Sequence, residues 1–330
     1  MLLDTYGRIA TDLRVSLTDR CNLRCTYCMP EEGLQWLGKP DLLTDDEIVR
    51  MVRIAVTLLG VKDVRFTGGE PLLRPGVVGI VERCAALEPR PRMSLTTNGI
   101  GLARTAVALR DAGLNRVNVS LDTLRPDVFQ TLTRRKRHDD VIRGLEAAHA
   151  AGLTPVKVNT VLMRGVNDDE APELLQWALD HGYELRFIEQ MPLDAQHGWQ
   201  RDDMVTADDI LTSLGSRFTL TPEPDAARGH APAERWLVDG GPARVGVIAS
   251  VTRPFCRACD RTRLTADGQI RNCLFAREES DLRGPLRDGA GDEEMAELWK
   301  KAMWGKKAGS GLDDPAAFEQ PERPMSAIGG

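Results

Sequence analysis

No apolar run in this 330-residue chain is long enough for a transmembrane helix, and its first residues are polar and charged rather than the basic-then-apolar order of a secretory signal. A membrane span is therefore not expected. A cytoplasmic chain is expected, in a compartment that keeps thiols reduced and favours metal binding over disulfides. Histidine is scarce: the 5 residues are scattered. No Ser/His/Asp arrangement and no P-loop is present, which argues against hydrolase chemistry. The formal net charge of −6 excludes a general nucleic-acid binder. Internal repeats are missing too.

What is present is ordinary in bulk and specific in detail. Hydrophobic residues make up 42% and charged residues 28%, enough for one large core or a core with an appendage. Short β-rich runs alternate with amphipathic helical patterns. Strands are expected at 14–18, 61–67, 93–97, 116–121, 155–163 and 185–191, and helices near 44–59, 76–88, 101–113, 125–150, 168–182 and 206–217. Such alternation predicts an α/β fold with a parallel sheet and helical crossovers. Eight repeats close a barrel; six predict an incomplete (β/α)6 TIM-like barrel, with chemistry at the C-terminal strand ends. The pattern stops near residue 220. Pro222, Pro224, Gly229 and Pro232 mark a linker, followed by a hairpin from 235 to 250 and a helix near 293–303. Two units are expected, 1–220 and 221–330, with a tail from Lys306 that reads as extended or mobile.

Six of the 7 cysteines fall into two triplets: Cys21, Cys25 and Cys28 near the start, then Cys256, Cys259 and Cys273 near the end. A structural zinc ion wants four thiolate or imidazole ligands, and no histidine stands near either triplet to complete a set. The C-x3-C-x2-C spacing of the first suits neither zinc nor a redox disulfide. Three thiolates on an iron–sulfur cubane leave one iron open to a substrate, and two such sets suggest two open clusters facing one site. Cys84 lies in the apolar pattern Val77, Val78, Ile80, Val81, Leu87 and reads as a buried helix residue.

The C-x3-C-x2-C run after the first strand, together with Thr67-Gly68-Gly69-Glu70-Pro71 after the second, resembles the signature of the radical S-adenosylmethionine (SAM) enzymes. The glycines let backbone approach a ligand and Glu70 offers an acceptor, although a plain strand-to-helix turn would use the same residues. The second triplet, in Phe255-Cys256-Arg257-Ala258-Cys259-Asp260-Arg261-Thr262-Arg263 with Cys273-Leu274-Phe275, is similar to the GTP 3′,8-cyclase family of molybdenum cofactor biosynthesis. Arg14 to Cys21 and the final Gly329-Gly330 match as well, so the resemblance runs from about residue 10 to the end.

This resemblance implies two [4Fe–4S] clusters, one on each triplet, the second forming part of a C-terminal extension that closes the open side of the barrel. SAM would bind through Tyr27, Gly68, Gly69, Glu70, Ser120 and Met191, the last of which physics alone would assign to the core. GTP would bind through Arg14, Arg65, Thr96, Lys157, Arg186, Arg261, Thr262 and Arg263. Any one arginine could be a solvated surface charge, but Arg65 and Arg186 interrupt apolar strands, where an unpaired charge is costly. Gly329 and Gly330 would take part in catalysis; a frayed terminus is the bland alternative. Two positions depart from the family pattern: Asp63 where a lysine is frequent, and Asp260 where asparagine is frequent.

The implied reaction is abstraction of the ribose 3′ hydrogen of GTP by a 5′-deoxyadenosyl radical, then attack of C3′ on guanine C8. An unidentified reductant, a homodimer and delivery of product to the cyclic pyranopterin monophosphate synthase complete the expectation. Two rivals stand beside it. A peptide-modifying radical enzyme would share the first triplet and the Gly-Gly-Glu-Pro run but need no triphosphate site. A zinc-bearing scaffold would share the cysteines alone.

Overall fold

Along the strands Asp12–Ser16, Asp63–Thr67 and Arg116–Ser120 polar and apolar side chains alternate. Leu13 and Val15 are buried between Asp12, Arg14 and Ser16; Val117 and Val119 lie between Arg116, Asn118 and Ser120. A parallel strand buried on both faces ordinarily reads as a continuous apolar run, so this alternation marks one face as functional. The computed structural model describes residues 1–224, 228–312 and 318–329.

The chain opens with β1 (Leu2–Leu3), β2 (Ile9–Ala10) and β3 (Asp12–Ser16), then α1 (Asp45–Thr57), β4 (Asp63–Thr67), α2 (Val77–Ala85) and β5 (Arg92–Thr97). Next come α3 (Leu102–Asp111), β6 (Arg116–Ser120), α4 (Pro126–Thr133), α5 (His138–Ala150), β7 (Lys157–Val161), α6 (Ala171–Asp180), β8 (Glu184–Ile188) and α7 (Ala207–Gly215). The remainder holds β9 (Leu220–Pro222), β10 (Glu234–Val238), β11 (Arg244–Ile248), β12 (Arg261–Leu264), β13 (Gln269–Arg271), β14 (Ser280–Asp281), α8 (Arg283–Arg287), α9 (Asp292–Trp304) and α10 (Met325–Ile328).

The strands from β3 to β8 lie side by side in chain order and all parallel, as the six-repeat pattern predicts. The C-terminal segment then adds a parallel strand to each end of this run: β12 pairs with β3, and β11 with β8. Antiparallel strands continue outward to β14 on one side and β9 on the other, so the sheet stays open. Helices cover the apolar face. α1 is started by a capping box between Thr44 and Glu47 and buries Ile48, Met51, Val52 and Ala55. The single helix expected over 125–150 is two, because Arg134 turns into the left-handed region at φ 56° and ends α4. That turn has a use. Arg134 donates to the carbonyls of Arg24 and Met29 at 3.0 and 3.2 Å, while the Arg24 and Thr26 amides donate to Thr133 and Leu132. The first cysteine loop is thereby strapped to the end of α4.

Past β4, the Gly69 amide donates to the Thr18 carbonyl at 2.7 Å and the Glu70 amide to the Arg20 carbonyl at 2.7 Å. A Cβ on Gly69 would stand 2.4 Å from that Arg20 oxygen, and one on Gly68 2.5 Å from Thr18 O. The two glycines are thus required by the backbone that leads into Cys21.

The tail, read above as extended or mobile, is instead docked where described. Phe318 meets Phe275 edge to face, Gln320 donates to the Asp194 carbonyl at 2.6 Å, and the Met325 amide donates to Leu193 O at 3.0 Å. Arg323 clamps the Asp267 carboxylate with both terminal nitrogens, one at 2.9 Å, and approaches Glu279 at 3.3 Å. Its composition is that of a loop, but these contacts, not propensity, hold it.

Gly69→Ala should cost about 1–3 kcal/mol of stability through forced displacement of the loop before Cys21; thermal unfolding measures it, and an unchanged midpoint would contradict the packing. Arg323→Ala should release the tail. Amide exchange over 318–329 is expected to rise by at least tenfold, with the core sheet unaffected.

Candidate active site

The polar face of the sheet is organised in levels along the strands. At the C-terminal ends lies a cavity of about 250 Å³, whose wall includes Cys21, Cys25, Tyr27, Cys28, Gly68, Gly69, Thr96, Ser120 and Met191. The structure therefore brings the first cysteine triplet together with most of the side chains expected around SAM. Glu70 is the exception. It is fully buried behind the cavity, accepting from Thr97 Oγ1, the Asn98 amide and the Leu72 amide at 2.7, 2.7 and 2.9 Å. Burial pushes its carboxyl up to about 7 against those three donors. Glu70 positions the end of β5 and leaves the cavity to the neighbouring glycines.

Three thiols crowd this cavity. Burial pushes all of them up, Cys28 to about 12 and Cys25 well above the usual thiol range. The charges of Asp122, Cys28 and Cys21 add to the effect on Cys25. A set like this gives up its protons only to a strongly cationic group. Among the described residues no three His, Cys, Asp or Glu side chains converge as a ready single-ion site. The donor chemistry fits an iron–sulfur cluster, where each thiolate takes a different iron, better than one tetrahedral zinc ion.

One level down, side chains on neighbouring strands stand in register. Arg263 of β12 is opposite Arg14 of β3, Arg14 opposite Arg65 of β4, and Arg65 opposite Ser94 of β5. Across the face, Arg186 of β8 is opposite Asn159 of β7 and donates to Asn159 and Asn118 at 2.7 and 3.0 Å. Arg14, Arg186, Arg261 and Arg263 are each no more than 9% exposed. Burial, then mutual repulsion, lowers Arg14, Arg65, Arg186 and Arg263 to about 9. For Arg186 the repelling neighbours are Arg116 and Arg14, with Glu184 opposing. Asp12 offsets part of this charge at 3.8 Å from Arg14, and Glu184 pairs with Lys157. The Nε donors of Arg14, Arg186 and Arg261 have no hydrogen-bond partner. Thr96 sits above this layer, its hydroxyl accepting from Asn118 Nδ2 at 3.3 Å. A polyanion would satisfy the orphan donors and relieve the repulsion at once.

The second triplet borders this layer. Burial pushes Cys273 up, and charges on Cys259 and Cys256 reach it. Cys259 is held below the usual range because Lys306 and Arg261 outweigh its burial. Lys306 is 4% exposed and donates to Cys259 Sγ at 3.3 Å and to the Arg261 carbonyl at 2.9 Å. Half-buried thiols beside a buried ammonium make a donor set that again fits a cluster. Thr262 does not join them. Its hydroxyl lies on the opposite face, accepting from Trp299 Nε1 at 2.9 Å. Gly329 does reach inward: its carbonyl accepts from Arg263 at 2.7 Å, and a Cβ there would stand 2.8 Å from that of Ser16. Gly330 lies outside the described residues.

The two departures are accommodated. Asp63 is paired with Arg92 on the next strand at 2.6 Å. Asp260 accepts from Thr11 Oγ1 at 3.0 Å. Sequence reasoning missed Asp122, which accepts from Tyr27 OH at 2.7 Å, Asn98, which reaches Cys21 Sγ at 3.9 Å, and Lys306. The asparagines Asn118 and Asn159 were missed as well, although each occupies a polar position in an alternating strand, which was the available signal.

Comparison with known proteins agrees with this geometry. Residues 15–178 match the model of the Radical SAM superfamily, and 183–312 that of Molybdenum Cofactor Synthesis C. A GTP 3′,8-cyclase of Streptomyces coelicolor is 79% identical over 330 residues, covering 100% of this chain and 96% of the relative. One from Mycobacterium sp. (strain KMS) is 63% identical over 329 residues, covering 100% and 93%. Among solved structures, Streptococcus suis SuiB bound to S-adenosylmethionine superposes with a TM-score of 0.61 at 14% identity, over 89% of this chain and 68% of that one, a likeness of fold. With near-full-length identity of this order behind it, a radical SAM sheet carrying a second thiol triplet at its edge places the chain in the GTP 3′,8-cyclase family.

Proposed function

We propose that this chain converts GTP to (8S)-3′,8-cyclo-7,8-dihydroguanosine 5′-triphosphate, the first step of molybdenum cofactor biosynthesis. The observation that carries this reading is the registered layer of buried arginines lying between two thiol triplets. In a peptide-modifying enzyme of similar fold such a concentration of unpaired guanidinium would have no counter-charge.

Cys21, Cys25 and Cys28 hold the first [4Fe–4S] cluster, and Cys256, Cys259 and Cys273 the second. When loaded, the first cluster and SAM supply a carbon radical by reductive cleavage, a chemistry that belongs to the cofactor. The protein's part is placement. Tyr27, fixed by Asp122, and Ser120, Gly68, Gly69 and Met191 form the SAM wall. Arg14, Arg65, Lys157, Arg186, Arg261 and Arg263 take the triphosphate, with the Thr96 hydroxyl above them. Thr262, its hydroxyl held by Trp299, serves the site by spacing Arg261 and Arg263 onto the nucleotide face. Guanine lies toward the second triplet, so that the ribose falls between the two clusters and C8 faces C3′. Gly329 places the tail's backbone against the same arginines, and Gly330 completes it. In this scheme residues 1–220 activate SAM and 221–330 hold the base.

No helix among the described residues is long and apolar enough to cross a membrane. A cytoplasmic setting, a separate reductant, a homodimer and transfer of product to cyclic pyranopterin monophosphate synthase belong to the same proposal.

Anaerobic reconstitution should load about eight irons per chain. It should then give cyclised nucleotide only when GTP, SAM and reductant are all present. Zinc in place of iron would return the scaffold reading. 5′-Deoxyadenosine without a nucleotide product would return the peptide-modifying one. Serine at any of the six cysteines should abolish cyclisation, but loss of Cys256, Cys259 or Cys273 should spare uncoupled SAM cleavage that loss of Cys21, Cys25 or Cys28 removes. Equal loss from both sets would contradict their separate roles. Arg186→Ala should weaken GTP binding by roughly 10–100-fold, the scale of a charge-assisted hydrogen bond lost from a buried site. Calorimetry on the iron-loaded protein measures it, and unchanged affinity would remove the arginine layer from the substrate site.

A further inference from the structure

At the floor of the sheet, where the strands begin, lies a second cavity of about 380 Å³ that borders the arginine row. Its wall is formed by Asp63 of β4, Arg92, Met93 and Ser94 of β5, and Asn115 and Arg116 beside and on β6. The polar side chains of β6 connect the levels. Ser120 lines the upper cavity, Asn118 holds Arg186 from the step below it, and Arg116 lines the floor cavity at the end of the Arg14–Arg65–Ser94 row. Four strand residues at ~3.3 Å each put Arg116 roughly 13 Å below Ser120 on the same face.

Arg116 belongs electrostatically to the arginine layer. It is in register with Ser94, itself opposite Arg65. Its charge lowers the proton affinity of Arg65, Arg186 and Lys157, after the larger effect of their burial. The acid on the cavity wall does not neutralise it, because both Asp63 oxygens are engaged by Arg92, at 2.9 and 2.6 Å. The side-chain contact Arg116 does make is neutral, a donation to Asn118 Oδ1 at 3.2 Å. A guanidinium facing a polar cavity, among cations and without a carboxylate of its own, is arranged for an anion.

We propose that Arg116 binds the terminal phosphate of the nucleotide and that the floor cavity is where a nucleoside triphosphate is told from a diphosphate. The proposal rests on the reading of GTP as the ligand of the arginine layer. The inner phosphates engage the registered arginines, and the terminal phosphate, with the most charge and the most free oxygens, reaches the floor. Removing it leaves Arg116 unpaired, which penalises the shorter nucleotide.

Calorimetric titration of the iron-loaded protein with GTP, GDP and GMP under anaerobic conditions tests this on wild type, Arg116→Ala and Arg116→Lys, with Arg186→Ala alongside. Wild type should prefer GTP to GDP by roughly tenfold or more. Arg116→Ala should lose most of that preference by weakening GTP and not GDP, and Arg116→Lys should recover part of it. Iron content reports whether each variant is folded, and Arg116→Lys carries the comparison if the alanine variant fails to load. A wild type without preference, or an alanine variant with the preference intact, overturns the proposal. Unaltered binding of all three nucleotides by Arg186→Ala overturns the parent reading instead.

Discussion

Buried guanidinium groups repel one another, and the polar face of this sheet is built around that repulsion. Arg263, Arg14 and Arg65 are brought side by side by strand register, a geometry the backbone imposes regardless of charge. Nothing in the hydrophobic effect favours it. The apolar face, with Leu13, Val15, Phe66, Val117 and Phe187 packed under the helices, supplies the stability that lets the other face remain electrostatically unfavourable. Strain of this kind is stored where a ligand will release it. The arginines therefore define substrate charge more firmly than any single motif does.

Around that layer the remaining parts fall into place. Cysteines stand at both flanks, the first set pushed up by burial and the second with Cys259 held below the usual thiol range by Lys306 and Arg261. Loops that carry them are fixed by ordinary contacts: Arg134 on the first, Lys306 on the second. Buried carboxylates bear much of the burden. Glu70 and Glu189 each gather several donors in the interior, Glu189 from the Ala207, Val251 and Thr252 amides, and so set where strands end. The site is rigid because these carboxylates are satisfied, while the arginines beside them are not.

Much of this was legible in the residues. The β3-to-β8 run followed from periodicity, and both thiol triplets from spacing, because each depends on local pattern. Arg186 and Arg65 stood out because a charge inside an apolar strand needs a reason. The break after Thr133 was not legible, since Arg134-Arg135-Lys136-Arg137 contains neither glycine nor proline and is arranged by contact with a distant loop. Parallel pairing of β12 with β3 and of β11 with β8 was hidden for the same reason: short strands far apart in sequence carry no register signal. The direction of the Thr262 hydroxyl was not legible from its two arginine neighbours, because period 2 turns the middle side chain to the other face. The tail misled through its composition, which records propensity and not docking.

The pairing of β12 with β3 has a consequence for how the chain is made. As the polypeptide leaves the ribosome, β3 through β8 can assemble in order, but β3 keeps one edge bare until residues 261–264 emerge. For most of synthesis the growing sheet thus offers an unpaired strand beside the first cysteine loop. The interval that exposes this edge to aggregation is also the one in which iron and sulfide can reach the first cysteine loop before the tail adds Met325 and Ser326 to the cavity wall.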